Sequence, residues 1–377
     1  MRIGFIGSSL VSCYWNGAAT YYRGLLRALA ARGHEITFLE PDAFGRQANR
    51  DIPDPDWARV VVWPATPEGM ARALDEAGAA DLVVKASGVG VFDRELEAAV
   101  PSLRRPGNLV AFWDVDAPAT LDRTEADPAD PFRALAPRYD VVFTYGGGDP
   151  VVRAYGRLGA RICVPVYNAL DPATHHPVPP DPRFAGIDLG FLGNRLPDRE
   201  ARVEEFLLGA AARLPGRRFL LGGAGWEDKA GVPANVRRLG HVGTADHNAF
   251  NSSCRAVLNV NRASMAAYGF SPPTRIFEAA GAGACLVTDA WEGVEAFLEP
   301  GREILVARDG AEVAAHLDGL DPARARAIGR AALARVLAGH TYDRRAALVE
   351  AALEGRDGHL PARTPRARAL PATGAAA

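Results

Sequence analysis

The chain has 377 residues, 48% of them apolar and 23% charged, and a formal net charge of −2. Acidic and basic residues this evenly balanced exclude the single-sign field of a nucleic-acid or polyanion binder, and the composition excludes a disordered or fibrous chain. The length suits about two domains, each with its own core. Of the 43 basic residues only Lys85 and Lys229 are lysines. The arginine excess, alongside abundant Ala, Gly and Pro, reads as codon bias and makes the two lysines worth following.

The opening Met1-Arg-Ile-Gly-Phe-Ile-Gly is interrupted by polar residues too soon for a signal peptide. No run of about 18 apolar residues occurs, so no membrane span is expected. Cys13, Cys163, Cys254 and Cys285 are isolated, without metal-ligand spacing, as expected of reduced thiols in a cytoplasmic protein.

In chain order, Arg2–Ile6 reads as a strand. A helix follows from Asn16 as N-cap to Arg32, with Tyr22, Leu25, Leu26 and Leu29 as its apolar stripe. Strands are expected at Glu35–Leu39 and Val60–Trp63. Thr66-Pro67-Glu68 opens a helix that closes at Gly78, with a Thr cap and Pro at the first helical position. Further apolar runs at Asp81–Lys85, Leu109–Trp113, Val141–Thr144 and Arg161–Pro165 lack strict alternation, as parallel strands covered on both faces do. The Pro-rich stretch 171–182 can continue neither sheet nor helix. It reads as the core of a linker over 171–186, after a first domain of residues 1–170.

The alternation then restarts. Strands are expected at Ile187–Leu192, Arg218–Leu221, Val236–Leu239, Ala256–Val260, Ala284–Thr288 and Ile304–Val306. Helices are expected near Arg199–Ala212, Thr244–Ser252, Ser271–Ala280, Gly310–Leu317, Pro322–Leu337 and Tyr342–Leu353. This places a second domain at 187–338, a last helix within 339–356 and a loose tail at 357–377. Leu370-Pro-Ala-Thr-Gly in that tail is read as a chance match to a sorting signal. Two β/α halves joined by a stiff linker imply two doubly wound domains facing a cleft, with ligands beyond the carboxyl ends of the strands.

Candidate chemistry sits at those strand ends. After the strand ending near Val260 comes a polar loop with Asn261 and Arg262, then Ser271-Pro-Pro-Thr-Arg-Ile-Phe-Glu. Ser271 as helix cap, the free amides around Thr274 and the Arg275 guanidinium suit an anion. Glu278, one turn on, suits a pair of ribose hydroxyls. The competing reading is a plain cap with an i, i+3 Arg–Glu pair. In the first domain Asp116, with Asp114 as alternate, follows a strand and suits a general base; either also suits a loop cap. Gly7 and Ser8 follow the first strand, but no G-x-G-x-x-G is present and a nicotinamide site is unsupported. Lys85 at a strand end suits an acceptor or phosphate contact, or plain exposure. Tyr145-Gly-Gly-Gly is expected to offer open amides to the cleft. His175 and His176 lack ligand spacing, so no metal and no cofactor is expected.

The stretch from Ser271 to Asp289, with Glu295–Val306 after it, resembles the C-terminal domain of CgeB-like glycosyltransferases, of the two-domain GT-B fold. The similarity covers residues 187–350 most clearly. It implies transfer of a sugar from a nucleoside-diphosphate sugar to an unidentified acceptor, with ribose on Glu278, diphosphate at the helix start, Arg195 and Arg199 on the diphosphate and His241 near the base. It also implies that the last helix crosses back to the first domain. One departure is visible: many retaining members carry a Glu eight residues before Glu278, and here Phe270 stands there. A nucleotide-sugar epimerase of the same fold and a non-catalytic coat-associated protein remain as alternatives.

Overall fold

The computed structural model describes residues 1–355, so the tail and its Leu370-Pro-Ala-Thr-Gly lie outside the described residues. Two parallel sheets form. The first contains β1 (Arg2–Ile6), β2 (Glu35–Asp42), β3 (Ala58–Pro64), β4 (Leu82–Ala86), β5 (Leu109–Asp114), β6 (Val141–Thr144) and β7 (Cys163–Pro165). Its order is β3-β2-β1-β4-β5-β6-β7. The second contains β8 (Leu189–Leu192), β9 (Phe219–Gly222), β10 (Val236–Leu239), β11 (Ala256–Asn259), β12 (Leu286–Asp289) and β13 (Leu305–Ala307), ordered β10-β9-β8-β11-β12-β13. In each sheet the order reverses beside the first strand, which opens a crevice at its carboxyl end.

Both faces of each sheet are covered. Phe5, Trp113 and Phe143 pack on one face of the first sheet, and Val83, Phe112 and Val142 on the other. This explains the unbroken apolar runs: a strand buried on both sides has no polar face to alternate with. The helix Pro67–Gly78 starts as its sequence predicts, with the Thr66 side chain accepting from the Gly69 amide.

Elsewhere local chemistry differs from expectation. The first helix is Ala18–Ala31 with Gly17 at its cap. Asn16 is buried one residue earlier, where its amide donates to the carbonyls of Ser9 and Ser12 and fixes the loop after β1. The expected helix near Arg199–Ala212 begins at Pro197 and contains a π-helical turn at Glu204–Leu208. Short helices at Asp93–Ala99, Ala117–Ala126, Gly148–Arg157 and Ala263–Tyr268 escaped the periodicity reading because each spans three turns or fewer. Among the described residues no helix is long and apolar enough to cross a membrane, and all four cysteines are free.

The chain returns from the second sheet to the first through Tyr342–Glu354. Tyr342, Ala346, Val349 and Leu353 of that helix belong to the core over β1. Gly24 makes the approach possible, since a Cβ there would lie 2.1 Å from the Tyr342 ring. Arg32 bonds Glu350 at 2.7 Å and Asp343 at 3.0 Å along the rim. Because the ring fills a site inside the first domain's core, Tyr342→Ala is expected to destabilise the protein by about 3–5 kcal/mol. Denaturant unfolding followed by tryptophan fluorescence checks this, and a loss below about 1 kcal/mol, ordinary for a surface change, contradicts the clasp.

Candidate functional site

The carboxyl ends of both sheets meet in one cleft, and a few close backbone contacts set its width. Phe270 adopts φ +43°. Its N–H donates to the Glu292 carbonyl at 2.6 Å, and its own carbonyl accepts from the Gly147 amide of the first domain at 2.8 Å. Cβ atoms added at Gly146 and Gly148 would lie 2.8 Å from Ser271 and Phe270 respectively. The glycines after Tyr145 are therefore not open amides lining the cleft; they let the second domain's loop come close. The Asn168 amide adds a bond to the Pro272 carbonyl at 3.1 Å. Tyr268 also hydrogen-bonds Asp122 of the first domain.

Behind this junction the helix Thr274–Gly281 begins, with Pro273 at its cap. Ser271 is not the cap: it is buried and its hydroxyl donates to the Gly269 carbonyl at 2.8 Å. The anion-binding end thus opens at Thr274 and Arg275, whose amides have no intrahelical acceptor. Arg275 is half-buried, and among the described residues no hydrogen bond or ion pair engages its guanidinium. Burial pulls its pKa down, against the pull of Glu278. Arg199 reaches the same point from the first turn of the helix that begins at Pro197, after β8. One of its nitrogens donates to the Asn194 carbonyl at 2.6 Å, and its Nε is buried without a partner. Burial first, then the charge of Arg275, lower Arg199 to about 10. Arginine stays cationic at neutral pH. Asp198 and Glu278 lie near enough to pull on the pair, but among the described residues neither forms a hydrogen bond or ion pair with it, so an entering anion is stabilised.

Glu278 is buried, and among the described residues its carboxylate has no hydrogen-bond partner. His175 and His247 lie beside it. Burial lowers His247 below its ordinary value, and Arg275 lowers it further. Asn261 is buried between strands: its amide N–H donates to Asp289 at 3.0 Å, and its side-chain Nδ2 has no partner. Asp289 in turn receives Arg202 at 2.5 Å, a buried pair that the sequence reading missed. Arg262 bonds Asp198 at 2.5 Å and reaches across to Asp116 at 3.6 Å. A continuous chain of charge therefore runs from Asp116 through Arg262 to Arg199 and Arg275.

The two first-domain carboxylates behave differently. Asp114 is fully buried, accepts from Ser87 at 2.7 Å and from the Asp116 amide at 3.0 Å, and is bonded by Tyr155. Three donors and complete burial tie it to the loop and the first domain's interior. Asp116 stands at the N-cap of Ala117–Ala126 without a side-chain capping bond. Burial raises its pKa above the ordinary carboxylate value, against the pull of Arg262. Tyr145 is partly buried beside it, its hydroxyl pushed up by burial and by the Asp116 charge.

Other expected contacts are turned away. Lys85 is fully buried, bonded to Asp93 at 2.7 Å with Glu97 at 3.7 Å, so it braces the first domain's interior and does not face the cleft. Asp93 also accepts from the amides of Val89 and Gly90, which explains the ordered glycine loop after β4. Gly7 is a packing position, 2.5 Å from the Phe38 ring if given a Cβ. Ser8 is buried and donates to Asn16 at 3.0 Å. Arg195 is paired with Glu200 at 2.6 Å and is the weaker anion ligand of the two proposed from its loop. Lys229 bonds Glu200 at 2.8 Å and also Glu204, so it has a structural partner. A Cβ added at Gly223, where φ is +125°, would lie 2.2 Å from the Gly193 carbonyl, so glycine is required where the chain turns after β9. His241 is exposed and lines a cavity of about 800 Å³ between the domains, with Tyr14, Trp57 and Thr244. Arg23 and Arg27 in that cavity are already paired with Asp51 and Asp171, so it lacks the unpaired charge of the Arg199–Arg275 corner.

Residues 199–351 match the family described as Glycosyl transferase-like. The fold of the whole chain is similar to sucrose-phosphate synthase from Thermosynechococcus elongatus, with a TM-score of 0.69, 15% identity and coverage of 95% of this chain and 99% of that one. It is similar also to Anabaena HepE in complex with UDP and glucose, with a TM-score of 0.66, 15% identity and coverage of 94% and 99%. A third similar structure is the lipopolysaccharide outer core galactosyltransferase WaaB, with a TM-score of 0.60, 14% identity and coverage of 94% and 100%. No curated protein sequence matches the chain. The chain has the GT-B fold, two Rossmann-like α/β domains, and its second half carries a glycosyl transferase-like domain.

The paired cations give a direct expectation. Arg275→Met is expected to leave the melting temperature of the ligand-free protein unchanged or raised, since it removes a buried, unpaired charge beside Arg199. The same change is expected to abolish stabilisation by inorganic pyrophosphate. A lower melting temperature with pyrophosphate stabilisation intact contradicts the assignment.

Proposed function

We propose that the protein is a glycosyltransferase that moves a sugar from a nucleoside-diphosphate sugar to a hydroxyl acceptor, within the CgeB-like branch and in the cytoplasm. The observation that carries this reading is the Arg199–Arg275 pair at a helix start, cationic and with no carboxylate bonded to it among the described residues, one turn from a Glu278 without a hydrogen-bond partner. A pyrophosphate neutralises the pair, and Glu278 accepts from both ribose hydroxyls. That one similar structure holds UDP and glucose supports a uridine donor.

The acceptor enters from the first domain, beside Tyr145. Asp116 takes the hydroxyl proton as the acceptor oxygen bonds to the anomeric carbon. The bond from that carbon to the diphosphate oxygen breaks, and the leaving diphosphate keeps the electron pair. Arg199, Arg275 and the helix amides stabilise that charge where it develops, so the reaction runs without a catalytic metal. Arg262 holds Asp116 across the cleft until the acceptor displaces it. The position of Phe270, committed to backbone contacts between the domains, leaves no second carboxylate on that loop for the donor sugar.

Uridine diphosphate is expected to raise the melting temperature, and Glu278→Ala to remove most of that rise; no rise with uridine, guanosine, thymidine or adenosine diphosphate overturns the proposal. Asp116→Asn is expected to retain nucleotide binding and lose about 10²–10⁴ in kcat. The pH dependence follows from the same group. Asp116 must be ionised to accept a proton, and burial raises its pKa, so the acid limb of kcat/KM is expected above the ordinary carboxylate value of about 4. Arg262 opposes that shift, so Arg262→Gln is expected to move the limb to still higher pH. A limb that stays put or moves down removes Asp116 from the role of base.

A further inference from the structure

The donor reading leaves unused the two histidines beside Glu278, His175 and His247. His175 lies in the segment after β7, on a turn that Asp171 fixes by accepting from the amides of His175 at 2.9 Å and Ala173 at 3.1 Å. Its ring is buried, and Nε2 has no hydrogen-bond partner. His247 projects from the helix Thr244–Ser253, with its ring centroid 6.3 Å from that of His175. Glu278 comes from a third element. One ligand atom from each of the three lies within 4.8 Å of the other two.

A buried imidazole nitrogen and a buried carboxylate, each without a partner, leave desolvation uncompensated unless something binds between them. The turn rests close on the Glu278 helix: a Cβ at Gly281 would stand 3.1 Å from the His175 carbonyl and 2.3 Å from the Leu170 side chain. Two imidazoles and one carboxylate form the ligand set of open-sided zinc sites, where ligands about 2.0–2.2 Å from the metal leave one position for a further group. The Val242 carbonyl interacts with the His247 ring, the kind of outer contact that orients a metal-binding histidine.

We propose that His175, His247 and Glu278 form a site for a borderline divalent transition metal of the zinc class, and that this ion and the donor nucleotide compete for Glu278. The metal site stands on the three residues alone; the competition rests on the donor reading above. Arg275 is close enough to act on His247, so its charge opposes the ion. Removing that charge is therefore expected to tighten metal binding while weakening pyrophosphate, which separates the two ligands.

The test uses the full chain stripped of metal with EDTA. Zn²⁺ is titrated against a chromophoric chelator, and Co²⁺ serves as a spectroscopic probe. One ion per chain is expected, with Co²⁺ bands of a nitrogen- and oxygen-ligated site. His175→Gln and His247→Gln are each expected to weaken binding by more than about a hundredfold, beyond the effect of losing an outer-shell partner, with circular dichroism unchanged. If either variant fails to fold, Arg275→Gln decides, since the site requires tighter binding there. No stoichiometric ion, thiolate charge-transfer bands, or native affinity in either folded histidine variant overturns the site. One equivalent of zinc is then expected to cancel the uridine diphosphate thermal shift in the native protein but not in His175→Gln, which controls for chelation by the nucleotide. A shift equal with and without zinc in the native protein overturns the competition. No shift in metal-free protein counts against the donor reading alone and leaves the metal titration to decide the site.

Discussion

Two guanidinium groups, Arg199 and Arg275, are brought together at the start of one helix, and among the described residues no carboxylate is bonded to either. In a chain with almost equal numbers of acidic and basic residues this is a local exception, because nearly every other arginine near the cleft has an acidic partner. Arg195 has Glu200, Arg202 has Asp289, and Arg262 has Asp198 and Asp116. Charge left unpaired in a half-buried site is costly in the free protein and becomes favourable only when an anion arrives. The rest of the cleft is organised around that demand, and near-neutral net charge is compatible with it because one dianion is small.

The second constraint is the distance between the domains. The φ +43° at Phe270 and the glycines at 146–148 bring the backbones of the two halves into direct hydrogen bonding. The last helix, seated in the first domain's core by Tyr342, closes the other side. Together these contacts hold Asp116 and Arg262 across from each other at 3.6 Å, close enough for the pair to sense one another yet open enough for a substrate to separate them. The same junction occupies the Phe270 backbone, and its side chain supplies no carboxylate at that position.

Much of this was legible in the sequence. The strands follow from buried apolar runs, the Thr66 cap from its Thr-Pro-Glu signature, and the helix Thr274–Gly281 from Pro-Pro-Thr-Arg after a strand. What could not be read is side-chain direction. Lys85 and Asp114 both end strands, and a strand end does not say whether a side chain faces cleft or core. Asp93 and Glu97, one turn apart on a short helix, were the available signal that Lys85 has internal partners. Ser271 looked like a cap because serine often is one, but the two prolines after it stay extended and move the helix start to Thr274. The meeting of His175, His247 and Glu278 depends on three separate elements and has no signature in spacing at all.

The central claim, that the Arg199–Arg275 corner and Glu278 hold a nucleoside diphosphate, is tested most directly by a crystal structure of the full chain with uridine diphosphate. The account predicts diphosphate oxygens between the two guanidinium groups at the Thr274 helix start, with both ribose hydroxyls on Glu278. Nucleotide bound instead in the cavity lined by Tyr14, Trp57 and His241, with Arg275 and Glu278 untouched, would contradict it.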